Sequence, residues 1–188
     1  ERLGDIHPFI IDIDLKYKDK IDNHVYTDET IQKIVSSIWD DLQTELELTN
    51  DMSEVIIMEK KKPYPCKSEQ FDSKDGIHMV FPKIIIKNIT YKHLIGLIKD
   101  SHIVNTIIDE TCEKTPDNNP ETILDGNFTS WFPYGCSKDN EEPYLITNVY
   151  KLNENEEMKK IDKDVLKKEY SDPLKMMKLI YSQDKKIN

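Results

Sequence analysis

At 188 residues the chain can fill one sizeable domain, or a domain with an appendage. Its 36 acids against 26 bases give a net charge of −10, which speaks against a basic nucleic-acid-coating surface, although carboxylates gathered around metal ions would add to that figure without their cations. Apolar residues are grouped despite 33% charged residues, which favours a folded soluble chain over a disordered one, and no run approaches the roughly 20 apolar residues of a membrane span.

The first element is a strand over residues 8–16. Strand side chains alternate, so Ile11, Ile13 and Leu15 share one face and Asp12 and Asp14 the other. Thr27-Asp28-Glu29-Thr30 reads as a helix start, with Thr27 as N-cap and acids in the first turn. Ile31, Ile34, Val35, Ile38, Leu42 and Leu46 then recur at helical spacing, predicting an amphipathic helix over 28–47. Val55–Met58 reads as a short strand, and Lys60–Pro65 as a loop or sheet edge, because proline cannot donate to a ladder. The Lys60–Lys62 run reads as a solvated face, with a nucleic-acid contact as the alternative.

A second strand covers 76–82, with Ile77, Met79 and Phe81 on one face and Lys74, Gly76 and His78 on the other. Residues 90–110 are helical with a break near Asp100-Ser101, and 115–120 is a turn-rich loop. Ile123-Leu124-Asp125 follows, then strands over 128–134 and 144–152 flanking a loop at 135–140. Beyond residue 153 the chain reads as a charged helical extension, or a linker to a following module; residues 151–188 carry 10 lysines against 8 acids. This order predicts an α/β (α+β) sandwich with a mixed or antiparallel sheet, not a doubly wound parallel one. The domain is expected to span 1–152. The chain opens on Glu1 rather than Met, which reads as a piece of a longer polypeptide whose N-terminal part is absent.

Three scattered cysteines, Cys66, Cys112 and Cys136, lack zinc-site spacing and point to a reducing, intracellular compartment. His7, His24, His93 and His102 read as ordinary surface or boundary residues.

Two strand faces carry chemistry. Asp12 and Asp14 would stand about 7 Å apart on one face, where their carboxylates can converge on divalent ions such as Mg²⁺ or Mn²⁺, which prefer oxygen ligands. An exposed edge strand bearing two acids is the alternative. The Lys74-x-Gly76-x-His78 face suits a triphosphate: lysine brings charge, histidine a hydrogen bond, and glycine a clear surface. A bulge glycine beside surface residues is the alternative there. Taken alone, Asp125 fits a turn before Gly126, and Lys138 is a loop lysine that can reach phosphate. Trp131, Phe132 and Tyr134 can stack bases or pack a core. Arg2 is the sole arginine, so phosphate contacts fall to lysine point charges.

Together these residues resemble the archaeo-eukaryotic primase superfamily, and within it the primase domain of primase–helicases from large DNA viruses. Phe9-Ile10-Ile11-Asp12-Ile13-Asp14 resembles its hydrophobic Asp-x-Asp motif, Gly76-Ile77-His78 its small-x-His motif, and Leu124-Asp125 its later hydrophobic-Asp motif. Gly135-Cys136-Ser137-Lys138 with Pro143-Tyr144 resembles the viral segment downstream, and the likeness covers residues 8–150.

The resemblance implies an RRM-like catalytic sheet and a template-dependent nucleotidyltransferase that makes primers on single-stranded DNA from NTPs or dNTPs. It implies that Asp12, Asp14 and Asp125 hold two Mg²⁺ or Mn²⁺ ions, and that Lys74, Gly76, His78 and Lys138 hold the nucleotide. A covalently linked helicase module, no membrane partner, and a location in host cytoplasm or at a viral replication site go with it. Two other readings stay open: a catalytically inactive module that binds nucleic acid or a partner, and an Asp-x-Asp sugar-nucleotide transferase.

Overall fold

A computed structural model describes residues 5–66, 68–112, 115–126, 134–137 and 141–181. Six strands form one sheet: β1 (Ile6–Tyr17), β2 (Val55–Glu59), β3 (Tyr64–Pro65), β4 (Ser73–Lys87), β5 (Leu145–Leu152) and β6 (Met158–Lys160). Their order is β1-β4-β2-β5-β6, with β3 paired to β4, and every pairing is antiparallel. Helices α1 (Asp28–Glu45), α2 (Asn88–Asp100), α3 (His102–Thr111), α4 (Pro120–Ile123), α5 (Lys163–Tyr170) and α6 (Pro173–Tyr181) accompany the sheet. Among the described residues no helix is long and apolar enough to cross a membrane.

The helix signals act as the residue types predict. Thr27 caps α1 in a reciprocal box with Thr30, each side chain receiving the other's backbone N–H. Ile31, Ile34, Val35, Ile38 and Leu42 are buried along one face, joined by Trp39. The break between α2 and α3 falls on Ser101, whose backbone is extended and whose N–H returns to Leu97 O at 3.0 Å.

Two local readings need correction. β4 runs past Pro82 to Lys87 instead of stopping there. Its register against β1 shifts between Pro8 and Phe9, whose partners are Ile85 and Phe81, so Pro82 sits where the ladder is interrupted and its missing N–H costs no regular bond. The charged C-terminal stretch is not only helical. Met158–Lys160 pairs with β5 as strand β6, and so short a segment with one apolar residue gives no alternation to read. Met158, Tyr170 and Met176 all join the hydrophobic core. The strand expected over 128–134 lies outside the described residues except for Tyr134, which stands in a turn.

Candidate functional site

Antiparallel register decides which side chains meet. Across β1 and β4, Asp12 is opposite His78, Asp14 opposite Gly76, and Lys16 opposite Lys74. Directly opposed residues point to the same face, so the two chemically loaded faces of the sequence become one surface. β1's other edge is met by an isolated antiparallel bridge between Ile13 and Leu124. One step along that register Asp125 stands opposite Asp12, and its N–H donates to Asp12 O at 3.2 Å. Asp125, Asp12 and His78 thus form one cross-strand row although their sequence positions span more than a hundred residues. Along the same face Ile10, Ile56 and Val80 are buried, so the polar patch ends against core.

The electrostatics of the row are lopsided toward negative charge. Asp14 Oδ2 lies 2.6 Å from Lys74 Nζ, and Asp12 Oδ1 lies 3.3 Å from His78 Nε2. Asp12 Oδ1 is nevertheless buried and accepts no hydrogen bond. Burial, reinforced by the charge of Asp12, lifts Asp14 above the usual carboxylate range despite Lys74 beside it. Burial pulls Lys74 the other way, but Asp14 and Tyr64 outweigh it and hold its ammonium above the ordinary lysine value.

Asp12 and Asp14 offer the oxygen donors that a hard divalent cation prefers, and the orphaned Asp12 oxygen is an open donor for one. The donor chemistry therefore fits Mg²⁺ or Mn²⁺. Among the described residues no group of three His, Cys, Asp or Glu side chains is placed to hold a metal ion; an ion on Asp12 and Asp14 would take its remaining ligands from waters and substrate phosphates.

Residues that sequence reasoning gave no role in the site complete it. Tyr144 stacks on His78 with ring centroids 3.5 Å apart and planes 15° from parallel. Its hydroxyl lies so close over Gly76 that any Cβ there would overlap it, so the space above that glycine is held by a tyrosine. Tyr64 OH is 3.5 Å from Tyr144 OH. Burial pushes the Tyr64 hydroxyl up to about 12 and Tyr144 further, so both stay protonated.

Lys60 belongs to this cluster and not to a solvated face. It is 5% exposed, with its ammonium 3.5 Å above the Tyr64 ring and 2.9 Å from Glu141 Oε2. A run of lysines carries no sign that one of them will be covered by rings and a distant acid. One histidine differs from the sequence reading: His7 is buried and bonded to Asn88 Oδ1 at 2.9 Å. His24 is a half-buried boundary residue whose ring contacts buried Asp75 at 2.8 Å. Lys138, Trp131 and Phe132 lie outside the described residues. Tyr134 packs against the core and its hydroxyl accepts the Ile146 N–H at 3.3 Å.

A helix-flanked antiparallel sheet with this row of acids is consistent with a primase-type core. A model of the C962R protein N-terminal AEP domain matches residues 1–150, and the chain belongs to that family, the N-terminal archaeo-eukaryotic primase domain of the C962R viral primase–helicase. No curated protein matches the chain.

Proposed function

We propose that this primase-type domain is a template-dependent nucleotidyltransferase, making primers on single-stranded DNA from nucleoside triphosphates with two Mg²⁺ or Mn²⁺ ions. The observation that carries the reading is the cross-strand row Asp125–Asp12–His78, with the Asp14–Lys74 pair beside it. In the reaction the 3′-oxygen bonds to the α-phosphorus, the α–β phosphoanhydride bond breaks, and pyrophosphate leaves with that bond's electron pair. The hydroxyl proton passes to solvent.

Asp12 and Asp14, joined by Asp125, would hold the ions, whose chemistry is to acidify the 3′-hydroxyl and neutralise the triphosphate. Lys74 exchanges its contact with Asp14 for one with phosphate, and His78 turns a ring N–H from Asp12 to a phosphate oxygen. Both groups are half-buried, where charge-assisted bonds outweigh those in water. Tyr144 braces the imidazole plane, and its hydroxyl fills the space over Gly76 that the sequence reading left clear for a triphosphate, so Gly76 serves to seat this tyrosine. Lys138 is a further phosphate contact by resemblance alone. A helicase module joined to this domain fits the family, and the three free thiols fit a reducing compartment in host cytoplasm or at a viral replication site.

The test is incubation of the chain with single-stranded template, labelled nucleotides and Mg²⁺ or Mn²⁺. Template-dependent oligomers are expected. Sugar-nucleotide hydrolysis without oligomers would instead support a transferase of the Asp-x-Asp kind, and DNA binding alone an inactive module.

A further inference from the structure

Asp14 and Asp125 face a second feature, a groove of 460 Å³ whose other lining residues have no part in the chemistry above. It follows the edge of β1 that Leu124 bridges, the edge opposite β4. One wall is α2, through Lys92, Ile95, Gly96 and Lys99; the other is α4 and the 124–126 segment. Lys92, Gly96 and Lys99 are spaced by four and three, so they share one helix face. Lys92 is exposed and forms no ion pair with a described residue. Lys99 ties the two walls together, 2.8 Å from Glu121 Oε2, and that contact neutralises the groove's third acid. At Gly96 an added Cβ would meet nothing within 4 Å, so the helix surface there is bare and open.

We infer that this groove seats a polynucleotide strand, the one whose 3′ end reaches Asp14 and Asp125. The naming of that strand rests on the nucleotidyltransferase reading; the claim that a phosphodiester backbone lies here rests on the groove itself. An in-line phosphoryl transfer brings the attacking oxygen in opposite the leaving one. With Lys74 and His78 on the triphosphate, the leaving pyrophosphate lies on the β4 side of the carboxylates, so the attacking oxygen approaches from the opposite edge of β1, the one that Leu124 and Asp125 line. That edge is where the groove runs. Its charges sort the strand: Lys92 attracts a phosphate, whereas Asp14 and Asp125 repel phosphate and accept a neutral hydroxyl. Gly96 lets the sugar–phosphate backbone lie against the helix. Pockets of about 300–1,000 Å³ hold drug-sized molecules, so the groove takes the terminal nucleotide with its 5′ phosphate.

The experiment measures the full chain's binding of a labelled single-stranded oligonucleotide across a salt series, and separately its binding of a fluorescent nucleoside triphosphate. Lys92→Glu is expected to weaken oligonucleotide binding at least about tenfold and lower the salt slope by about one, as the loss of one phosphate contact does. Gly96→Leu fills the groove with a better helix former, so it should lose the oligonucleotide with no fall in melting temperature. Triphosphate binding stays at the wild-type value in both. Lys168→Glu, the same charge change on exposed α5, is the control and should match wild type.

Wild-type-like oligonucleotide binding by both groove variants overturns the inference, as does an equal loss in Lys168→Glu or no binding by the wild type. If the wild type makes no oligomers while binding still depends on Lys92 and Gly96, the enzymatic reading fails and the groove stands. If the wild type makes oligomers and both variants extend a primer with unchanged KM for it, the groove alone fails.

Discussion

Asp12 and His78 face each other across β1 and β4, 3.3 Å apart at Oδ1 and Nε2, yet that buried oxygen accepts no hydrogen bond. The two are close enough to attract but misaligned to bond. Such an oxygen is costly in a folded protein unless something else binds it.

Asp12→Asn tests that point without relying on turnover. Neutralising Asp12 removes the like charge that helps lift Asp14, so in chelator the variant should be as stable as wild type, or more stable by about 0.5–2 kcal/mol. Adding Mn²⁺ should raise the melting temperature of wild type, because a ligand of the native state stabilises it. The variant should lose that rise, with metal affinity lowered at least about a hundredfold, the upper end of what losing an outer-shell partner costs. A variant with an undiminished Mn²⁺ shift would remove Asp12 from the metal site.

Gly76→Ala probes the stack on His78. The new Cβ would overlap the Tyr144 hydroxyl and stand 3.3 Å from Cζ and 3.4 Å from Asp14 Oδ1. Overpacking of this kind costs about 1–3 kcal/mol. Tyr144→Phe removes the overlapping oxygen and, with Tyr64 only 3.5 Å away as its partner, costs no more than about 1 kcal/mol alone. In the double variant the two changes should offset, with a coupling on the order of 1 kcal/mol in urea unfolding. Strict additivity would mean that Tyr144 does not lie over Gly76.

These residues mark how far the sequence could be read. Asp12, Asp14, Lys74, Gly76 and His78 were legible because period-2 alternation sorts each strand's side chains, and antiparallel pairing then only had to bring two marked faces together. Asp125 was visible as a motif residue, but not as the neighbour of Asp12. That adjacency depends on a clasp between loop and strand, and no local pattern encodes it. The place of Lys60, and that of Tyr144 beyond its part in the downstream motif, were illegible for the same reason: the stack, the cation–ring contact and the Glu141 pair join residues far apart in the chain, whose types suit a surface equally well. Pro82 misled because proline ends a regular ladder, whereas this ladder has an irregularity where proline fits.

The clasp is Asn118. It is fully buried, its Oδ1 accepts the Lys16 N–H at 3.1 Å, and its Nδ2 donates to Lys16 O at 2.6 Å. One side-chain amide thus extends the edge pairing of β1 and tethers the loop that leads to α4 and Asp125. Asn118→Ala strands both backbone groups of Lys16, at about 1–3 kcal/mol for a group left dry and less where water enters. A total loss of about 2–4 kcal/mol in chemical denaturation is expected. Because Asp125 loses its anchorage, Mn²⁺ affinity should also fall by about 10–100-fold, as for loss of a supporting partner. Stability loss with unchanged Mn²⁺ affinity would show that Asp125 is positioned by its own bridge to β1.

Asp75 lies on the opposite face of β4 from the site and is fully buried, its Oδ1 accepting the Gly76 N–H at 3.0 Å and its Oδ2 2.8 Å from His24 Nδ1. Burial raises its pKa above 3.8 in spite of the two hydrogen bonds. The folded state therefore holds this proton more tightly than the unfolded chain does. Between 3.8 and the raised folded value the native protein binds more protons, so this group's contribution to stability falls as pH rises through that window. Above the window the cost is fully present and constant. Asp75→Asn keeps an acceptor for the Gly76 N–H and has no proton to lose. In urea unfolding at a series of pH values, the variant should gain on wild type as pH climbs above 3.8 and then hold a constant lead over its value at low pH. The opposite slope, with wild type gaining on the variant as pH rises, would mean that His24 outweighs burial and keeps Asp75 ionised below its ordinary pKa.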